Sequence, residues 1–375
     1  MVSLHGFGTL GLTRTDNDNA EFVRDLSQPN GARNSWTAKI DSLVGIQANI
    51  DVSPQTEAVV QVVSRFHADG SHDPELTWAF LRHDFSPDFS LRAGRLGTEL
   101  YMLGDSRLVG YSNLALRPPP DFYGSLVFSY IDGLDVSTTL PIANGLLRGK
   151  LFAGLSPEET PYAADITWDQ QGTLLVGGYL DFLRGPWQLR LSHARVRFNH
   201  EAPTDELLRS IGDPLGGTPY LALVPEMAME DRWARFSSLG LVYDQGPLNF
   251  QFMLNQINYD SPAYFDSKAG YFQVAYRLAN FSPYFGFSRS VTNRKVTSPI
   301  NPLVDSITAG LNNQSYLDQH TYTFGGRWDI KQNLALKAQL DLIRGNSAST
   351  FLVKNPQPDW DGDMTVFSLA LDFVF

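Results

Sequence analysis

Hydrophobic and polar residues alternate one by one over long stretches of this 375-residue chain. Between Trp36 and Asp51 the even positions are mostly apolar, whereas the odd positions are mostly polar or charged. The same alternation returns at 248–255, 334–342 and 367–375. Because successive side chains of a strand point to opposite faces, this period of two predicts amphipathic β-strands rather than helices.

Sixteen such segments follow one another along the chain, and most are about 10 to 15 residues long. Strands of soluble proteins average about 5–6 residues, whereas membrane-spanning strands need about 9–11. A soluble β protein with an aromatic core is the alternative, but it would need unusually long strands. The predicted strands are 2–14, 36–50, 56–67, 75–85, 88–97, 127–138, 146–156, 172–183, 186–199, 231–244, 247–259, 268–279, 282–292, 318–330, 333–345 and 364–375.

The connections between these strands alternate between short turns and long loops. The short turns, such as 51–54 and 245–247, contain Pro, Gly, Ser, Asn and Asp, which are typical turn residues. Seven turns and eight loops are the count for an up-and-down barrel in which the last strand pairs with the first. A barrel of about sixteen strands is too wide for side chains to fill, so its apolar face must point outward into lipid. We therefore predict an all-β, antiparallel transmembrane barrel with short periplasmic turns and long extracellular loops.

Composition supports this class of protein and excludes others. The chain is 43% hydrophobic, yet no apolar run approaches the roughly 18 residues of a spanning helix. The net charge of −11 argues against binding to nucleic acid, and the lack of Cys excludes disulfides and thiolate metal sites. Although the length alone suggests two or three domains, we expect a single barrel domain over 1–375.

Several short motifs, in their order and spacing, resemble the general porins of Gram-negative outer membranes. The last strand, 367–375, alternates and ends in Phe375; the opening segment 5–12 and the neighbouring segments 79–83 and 91–95 are similar to porin strands. The resemblance implies a homotrimer in the bacterial outer membrane that is in contact with lipid and lipopolysaccharide. It implies that the barrel-assembly machinery reads Phe375, and that a third loop, here 98–126, folds into the lumen.

The resemblance also implies a passive diffusion channel for small hydrophilic solutes, whose selectivity depends on charges in the lumen. The alternation places bases on the inner wall, and loop 98–126 carries acids, so we predict a transverse field and a weak preference for anions. The alternation slips near Arg82 and Arg95, so their faces are ambiguous, and unselective, solvated charges are the alternative. The predicted basic wall is Lys39, Arg65, Arg82, Arg92 and Arg95, and the predicted loop acids are Glu99, Asp105 and Asp121.

Other candidate chemistry is weak. The seven His are scattered, and neither a nucleophile elbow nor a phosphate-binding loop occurs, so we expect no enzyme, metal or cofactor. Segment 203–211 has a helix-start pattern with Thr204 as N-cap. Met1 directly precedes the first strand without a signal peptide, so we expect a mature form with an added Met. Two alternatives remain: a solute-specific channel for phosphate or small organic anions, and a plugged barrel acting as a surface receptor or adhesion platform.

Overall fold

The computed structural model describes residues 1–142, 144–163, 166–203, 227–295, 309–310 and 314–375. Sixteen antiparallel strands close into a barrel, which confirms the predicted fold class, and we number them β1 to β16 in chain order. β1 pairs with both β2 and β16, so no edge is left unpaired. The strands are Val2–Thr15, Leu43–Ser53, Thr56–Arg65, Pro74–Ser86, Phe89–Gly97, Tyr130–Ile142, Gly145–Leu155, Leu174–Arg184, Trp187–Arg197, Trp233–Gln245, Leu248–Tyr259, Asp266–Tyr276, Phe281–Asn293, Asp318–Lys331, Leu334–Gly345 and Met364–Val374.

Short turns and long loops alternate around the barrel as predicted, so the barrel has a turn end and a loop end. One strand boundary was wrong: β2 begins at Leu43, and residues 36–42 belong to the first loop. The reason is that Asp41, just before the strand, is buried and accepts a hydrogen bond from Thr13 on β1 at 2.8 Å. This contact holds the preceding segment above the strand.

The two faces of the wall differ as the alternation requires. On β15, Lys337, Gln339 and Asp341 point inward and are buried, whereas Leu336 points outward and is 38% exposed. Phe375 lies on the outer face above Gly6, where a Cβ atom would come within 2.1 Å of the ring. Glycine is therefore required at position 6 if the C-terminal ring is to lie flat on β1.

Several long loops contain short elements that the sequence did not indicate. The segment Glu21–Phe22 of the first loop pairs with Val353–Lys354 of the last, and Glu159–Ala163 pairs with Ile166–Asp169. A 3-10 turn at Gly110–Ser112 and a short helix, α1 at Pro120–Tyr123, lie in the third loop. No helix in the described part of the chain is long and apolar enough to span a membrane. The helix predicted at 203–211 falls largely outside the described residues.

Candidate channel constriction

The third loop, residues 98–129 between β5 and β6, crosses the interior of the barrel. Its 3-10 turn reaches the opposite wall, where a Cβ atom on Gly110 would come within 2.4 Å of Thr9 Oγ1 on β1 and 2.3 Å of Asp372 Oδ1 on β16. Only glycine allows so close an approach. The prediction that this loop folds into the lumen is confirmed.

Two bases on the far wall hold this turn of the loop through its backbone carbonyl groups. Lys337 Nζ donates to the carbonyl oxygens of Gly110, Asn113 and Ala115 at 2.6–3.0 Å and forms an ion pair with Asp372 at 2.8 Å. Arg327 donates to the carbonyl oxygen of Asn113 at 3.0 Å. Both bases face the lumen, and their role here is to anchor the loop.

Arg117 anchors the loop a second time, next to the stiff Pro118–Pro120 segment. Its side chain is buried and donates to the carboxylates of Asp41 at 2.7 and 2.9 Å and Asp341 at 3.0 Å. It also donates to Ser368 Oγ on β16. The guanidinium thus joins the third loop, the first loop and the far wall, and both acids would be left without this partner if it were removed.

Between these anchors and β5 the loop fills part of the lumen with aromatic rings. Tyr101 and Phe122 are fully buried with ring centroids 5.1 Å apart, and Phe122 meets Tyr271 of β12 edge to face at 5.2 Å. Asp121, in α1, accepts hydrogen bonds from Ser288 Oγ at 2.5 Å and Gln319 Nε2 at 2.6 Å. The predicted loop acid Asp121 is therefore a structural anchor on β13 and β14, turned away from the basic wall.

Glu99, by contrast, lies against the basic wall. Arg92 Nη2 donates to Glu99 Oε1 at 3.2 Å, Lys150 Nζ donates to the same oxygen, and Arg190 Nη1 lies 3.8 Å from Oε2. Burial alone would raise the pKa of Glu99, but the ammonium of Lys150 and the guanidinium of Arg92 lower this pKa to about 2. The carboxylate is therefore ionised at neutral pH and closely paired with three bases.

Two further acids complete this group, which we call the Glu99 cluster: Glu99, Arg92, Lys150, Arg190, Asp135 and Asp181. Arg92 contacts Asp135 at 2.5 Å, and Arg190 contacts Asp181 at 2.6 Å. Three bases and three acids cancel formally. The expectation that acids lie mainly in loops and bases mainly on the wall is thus wrong at this level of the barrel, because inward-facing Asp135 and Asp181 belong to β6 and β8.

A polar cavity of about 340 Å³ extends from this cluster toward the turn end of the barrel. Besides Arg92 and Lys150, its charged lining residues are Arg82, Asp84, Asp88 and Arg148. Arg82 contacts Asp84 at 2.9 Å, but Arg148 is exposed and has no ion pair with any residue that the structure describes. Arg148 is therefore a base without a contact ion pair, and Asp88, which is also exposed, contributes one acid to the same cavity.

The remaining predicted residues are dispersed. Arg65 faces inward but is buried against Glu75 at 3.2 Å, near the loop end. Lys39 lies in the first loop, with its ammonium over the Phe66 ring, because β2 starts later than predicted. Arg95 pairs with Asp132 on the outer face, since residues three apart on a regular strand point opposite ways and Arg92 points inward. Lys39 and Arg95 therefore do not belong to the inner basic wall.

Asp105 lies in the third loop within electrostatic reach of Arg92, Lys150 and Arg190. It is exposed and forms no hydrogen bond or ion pair with the described residues, and desolvation inside the barrel raises its pKa. Sequence reasoning missed Asp135 and Asp181. The alternation could have identified both acids, because each differs by an even number of sequence positions from other inward-facing residues of β6 or β8.

No protein-family model and no curated sequence matches this chain. Solved structures match over its whole length. An anion-selective porin from Comamonas acidovorans has a TM-score of 0.60 at 14% identity, covering 100% of this chain and 99% of that one. OmpF of Salmonella typhi, in complex with daunomycin, has a TM-score of 0.60 at 10% identity, covering 100% and 97%. A loop-deletion mutant of Vibrio cholerae OmpT, an outer membrane protein, has a TM-score of 0.58 at 13% identity, covering 100% and 99%. The architecture is that of a bacterial outer-membrane β-barrel.

Proposed function

We propose that this outer-membrane barrel is a porin, a non-enzymatic channel through which small hydrophilic solutes diffuse passively, with a weak preference for anions. The observation that carries the proposal is the third loop held across the lumen beside a base-rich polar cavity. A loop anchored by Arg117 and Lys337 narrows the passage, and Arg82, Arg148 and Asp105 remain exposed to a passing ion. Similarity to porins supports the fold of such a channel.

Planar-bilayer recording of the purified protein tests this proposal. We expect steady single-channel currents and a reversal potential, in a KCl gradient, of the sign for chloride preference. Replacing Arg148 with Ala should move the reversal potential toward the cation value, because this base has no acidic partner among the described residues. Lys268→Ala, on the outer face, is the matched control. Equal shifts in the two variants would contradict a selectivity role for Arg148.

A plugged barrel that acts as a surface receptor or adhesion platform is the second candidate. It is favoured by the aromatic packing of the loop, in which Tyr101, Phe122 and Tyr123 are buried in the lumen. Such a protein would still insert into the membrane, which a radiolabel would detect. It would nevertheless show no steady conductance in the same recordings. The recordings therefore separate the two candidates.

We infer that the barrel forms a homotrimer through the outer face of β1 to β4. Apart from Phe85 and Phe375 near the turn end, that face is aliphatic and exposed, with Leu10, Ile46 and Leu81 as examples, whereas Phe285 and Phe324 project from the outer face of β13 and β14. Aromatic girdles are typical of lipid-facing strands, so we assign the face that has fewer rings to the subunit contact. One solved structure of similar fold is described as a trimer form of OmpT. Ile46→Trp should dissociate the oligomer in light scattering, and Phe324→Trp should not.

The outer membrane supplies the remaining inferred partners. Lys268 and Arg195 are basic residues on the outer face of the wall near the loop end, and we infer that they contact lipopolysaccharide phosphates. We also infer that the barrel-assembly machinery reads the last strand with Phe375 at its end. The amount of folded barrel that the Phe375→Ala variant forms in cell membranes tests the second inference.

A further inference from the structure

A second cavity lies at the loop end of the barrel, separate from the Glu99 cluster. Its volume is about 300 Å³, and it lies among the first, third, fourth and last loops and the ends of several strands. Cavities of this size are typical of small-molecule sites. Nothing in the proposed diffusion mechanism uses it.

Aromatic rings build one wall of this cavity. Phe198 and Trp168 stack with centroids 5.1 Å apart, Trp168 stacks on Tyr264 at 5.9 Å, and Tyr264 stacks on Tyr259 at 5.3 Å. Phe351 of the last loop meets Tyr264 edge to face at 6.2 Å. All five rings line the cavity. This continuous apolar wall would favour the hydrocarbon or aromatic part of a ligand.

Two hydrogen-bond donors that find no acceptor among the described side chains and backbone also line the cavity. Gln170 is 1% exposed, and its Nε2 has no hydrogen-bond partner in the part of the chain that the structure describes. Lys354 is partly buried, and its ammonium makes no hydrogen bond or contact ion pair with the described residues. A buried donor without an acceptor costs about 1–3 kcal/mol, so such a group in a folded protein calls for a partner.

The acids nearest to Lys354 are already engaged. Glu21 contacts Arg33 at 2.9 Å, and Asp25 contacts Arg24 at 3.4 Å. Burial lowers the pKa of Lys354 to about 8, against the attraction of Asp25 and Glu21, so the ammonium is still mostly protonated at neutral pH. An amide donor and an ammonium in one aromatic cavity match a ligand that has both acceptors and negative charge.

We propose that this cavity is a binding site for organic carboxylates with an apolar body, with Lys354 and Gln170 as donors to the carboxylate and the ring stack as the apolar wall. The proposal names a class of solute for the channel. It rests on the proposed channel function in one respect, namely that the bound anion is a solute that the channel carries. A small inorganic anion would leave the aromatic wall unused, and a neutral aromatic compound would leave both donors unpaired.

Isothermal titration of the purified full-length barrel with benzoate, benzyl alcohol and acetate tests this proposal at pH 7. We expect saturable binding of benzoate, and binding of benzyl alcohol and acetate at least tenfold weaker. Lys354→Met and Gln170→Leu should each weaken benzoate binding about tenfold or more, since each removes a hydrogen bond to a charged group. Lys331→Met, which is exposed at the turn end and so lies at the opposite end of the barrel from the cavity, is the matched control and should bind benzoate like the wild type.

The proposal is overturned if benzoate does not bind, if benzyl alcohol binds equally well, or if both variants retain wild-type affinity while their circular dichroism is unchanged. If one of the two donor variants misfolds, the other variant still tests the proposal. Conductance without benzoate binding would reject the carboxylate site and leave the porin function standing. Benzoate binding without conductance would reject the porin function and leave the site standing.

Discussion

Replacing Glu99 with Gln is the sharpest single change to the constriction. Glu99 is paired with Arg92, Lys150 and Arg190, and Asp135 and Asp181 complete a cluster of three bases and three acids. The variant keeps the size of the side chain but removes one negative charge. The cluster then carries a net positive charge beside the polar cavity, and chloride should be favoured over potassium more strongly than in the wild type.

The expected magnitude follows from Coulomb's law. A unit charge about 6 Å from a permeating ion in a water-like dielectric contributes about 0.7 kcal/mol. Because the change acts with opposite sign on chloride and potassium, their permeability ratio changes by about 1.4 kcal/mol, or about tenfold. Salt at about 0.1 M has a Debye length of about 10 Å and reduces this effect to a few-fold.

The assay is the reversal potential of reconstituted protein in a KCl gradient. Asp318→Asn is the matched control, since Asp318 pairs with Arg289 on the outer face at 2.8 Å and is remote from the lumen. Glu99→Asp, which keeps the charge, should stay close to the wild type. If Glu99→Gln and Asp318→Asn give the same reversal potential as the wild type, the Glu99 cluster does not line the ion path and the reasoning fails.

Three other changes test separate parts of the structure. Arg117→Ala leaves Asp41 and Asp341 buried without their common partner, which should destabilise the anchored loop by about 3–5 kcal/mol, lower the thermal midpoint and increase current noise; unchanged values for both would contradict the anchor. Burial raises the pKa of Glu158 to about 7, so the folded state holds a proton that the unfolded state loses above a pKa of 4.5; stability should fall between about pH 4.5 and 7 by up to about 3 kcal/mol and then level off, and Glu158→Gln should remove this slope in melts recorded against pH. Phe375→Ala should reduce the fraction of heat-modifiable, folded barrel in cell membranes, and equal amounts of folded wild type and variant would reject Phe375 as the assembly signal.

The sequence allowed the wall of the barrel to be predicted well, because strand period and turn residues are local properties. All sixteen strands and the long third loop are present, and most boundaries agree within a few residues. The start of β2 was misplaced because the alternation continues through 36–42, where burial of Asp41 against the third loop overrides it. A local pattern cannot report a contact between residues 41 and 117.

The site was harder to predict for the same reason. The sequence predicted Arg92 on the inner wall and Glu99 on a loop inside the lumen, but it did not predict that these two side chains meet. It did not show that Arg117 reaches Asp341, or that Lys337 binds the carbonyl groups of 110–115, because these partners are more than two hundred residues apart. The inward phase of Asp135 and Asp181 was visible in the alternation, but the predicted wall contained only bases.

The most direct test of the central claim is single-channel recording of the wild-type barrel in a planar bilayer with a KCl gradient. A loop that narrows the lumen beside the exposed charge of Arg148 predicts steady conductance and a reversal potential of the sign for chloride preference. Absence of steady conductance from protein that has inserted and folded, or a clear preference for potassium, would contradict the account.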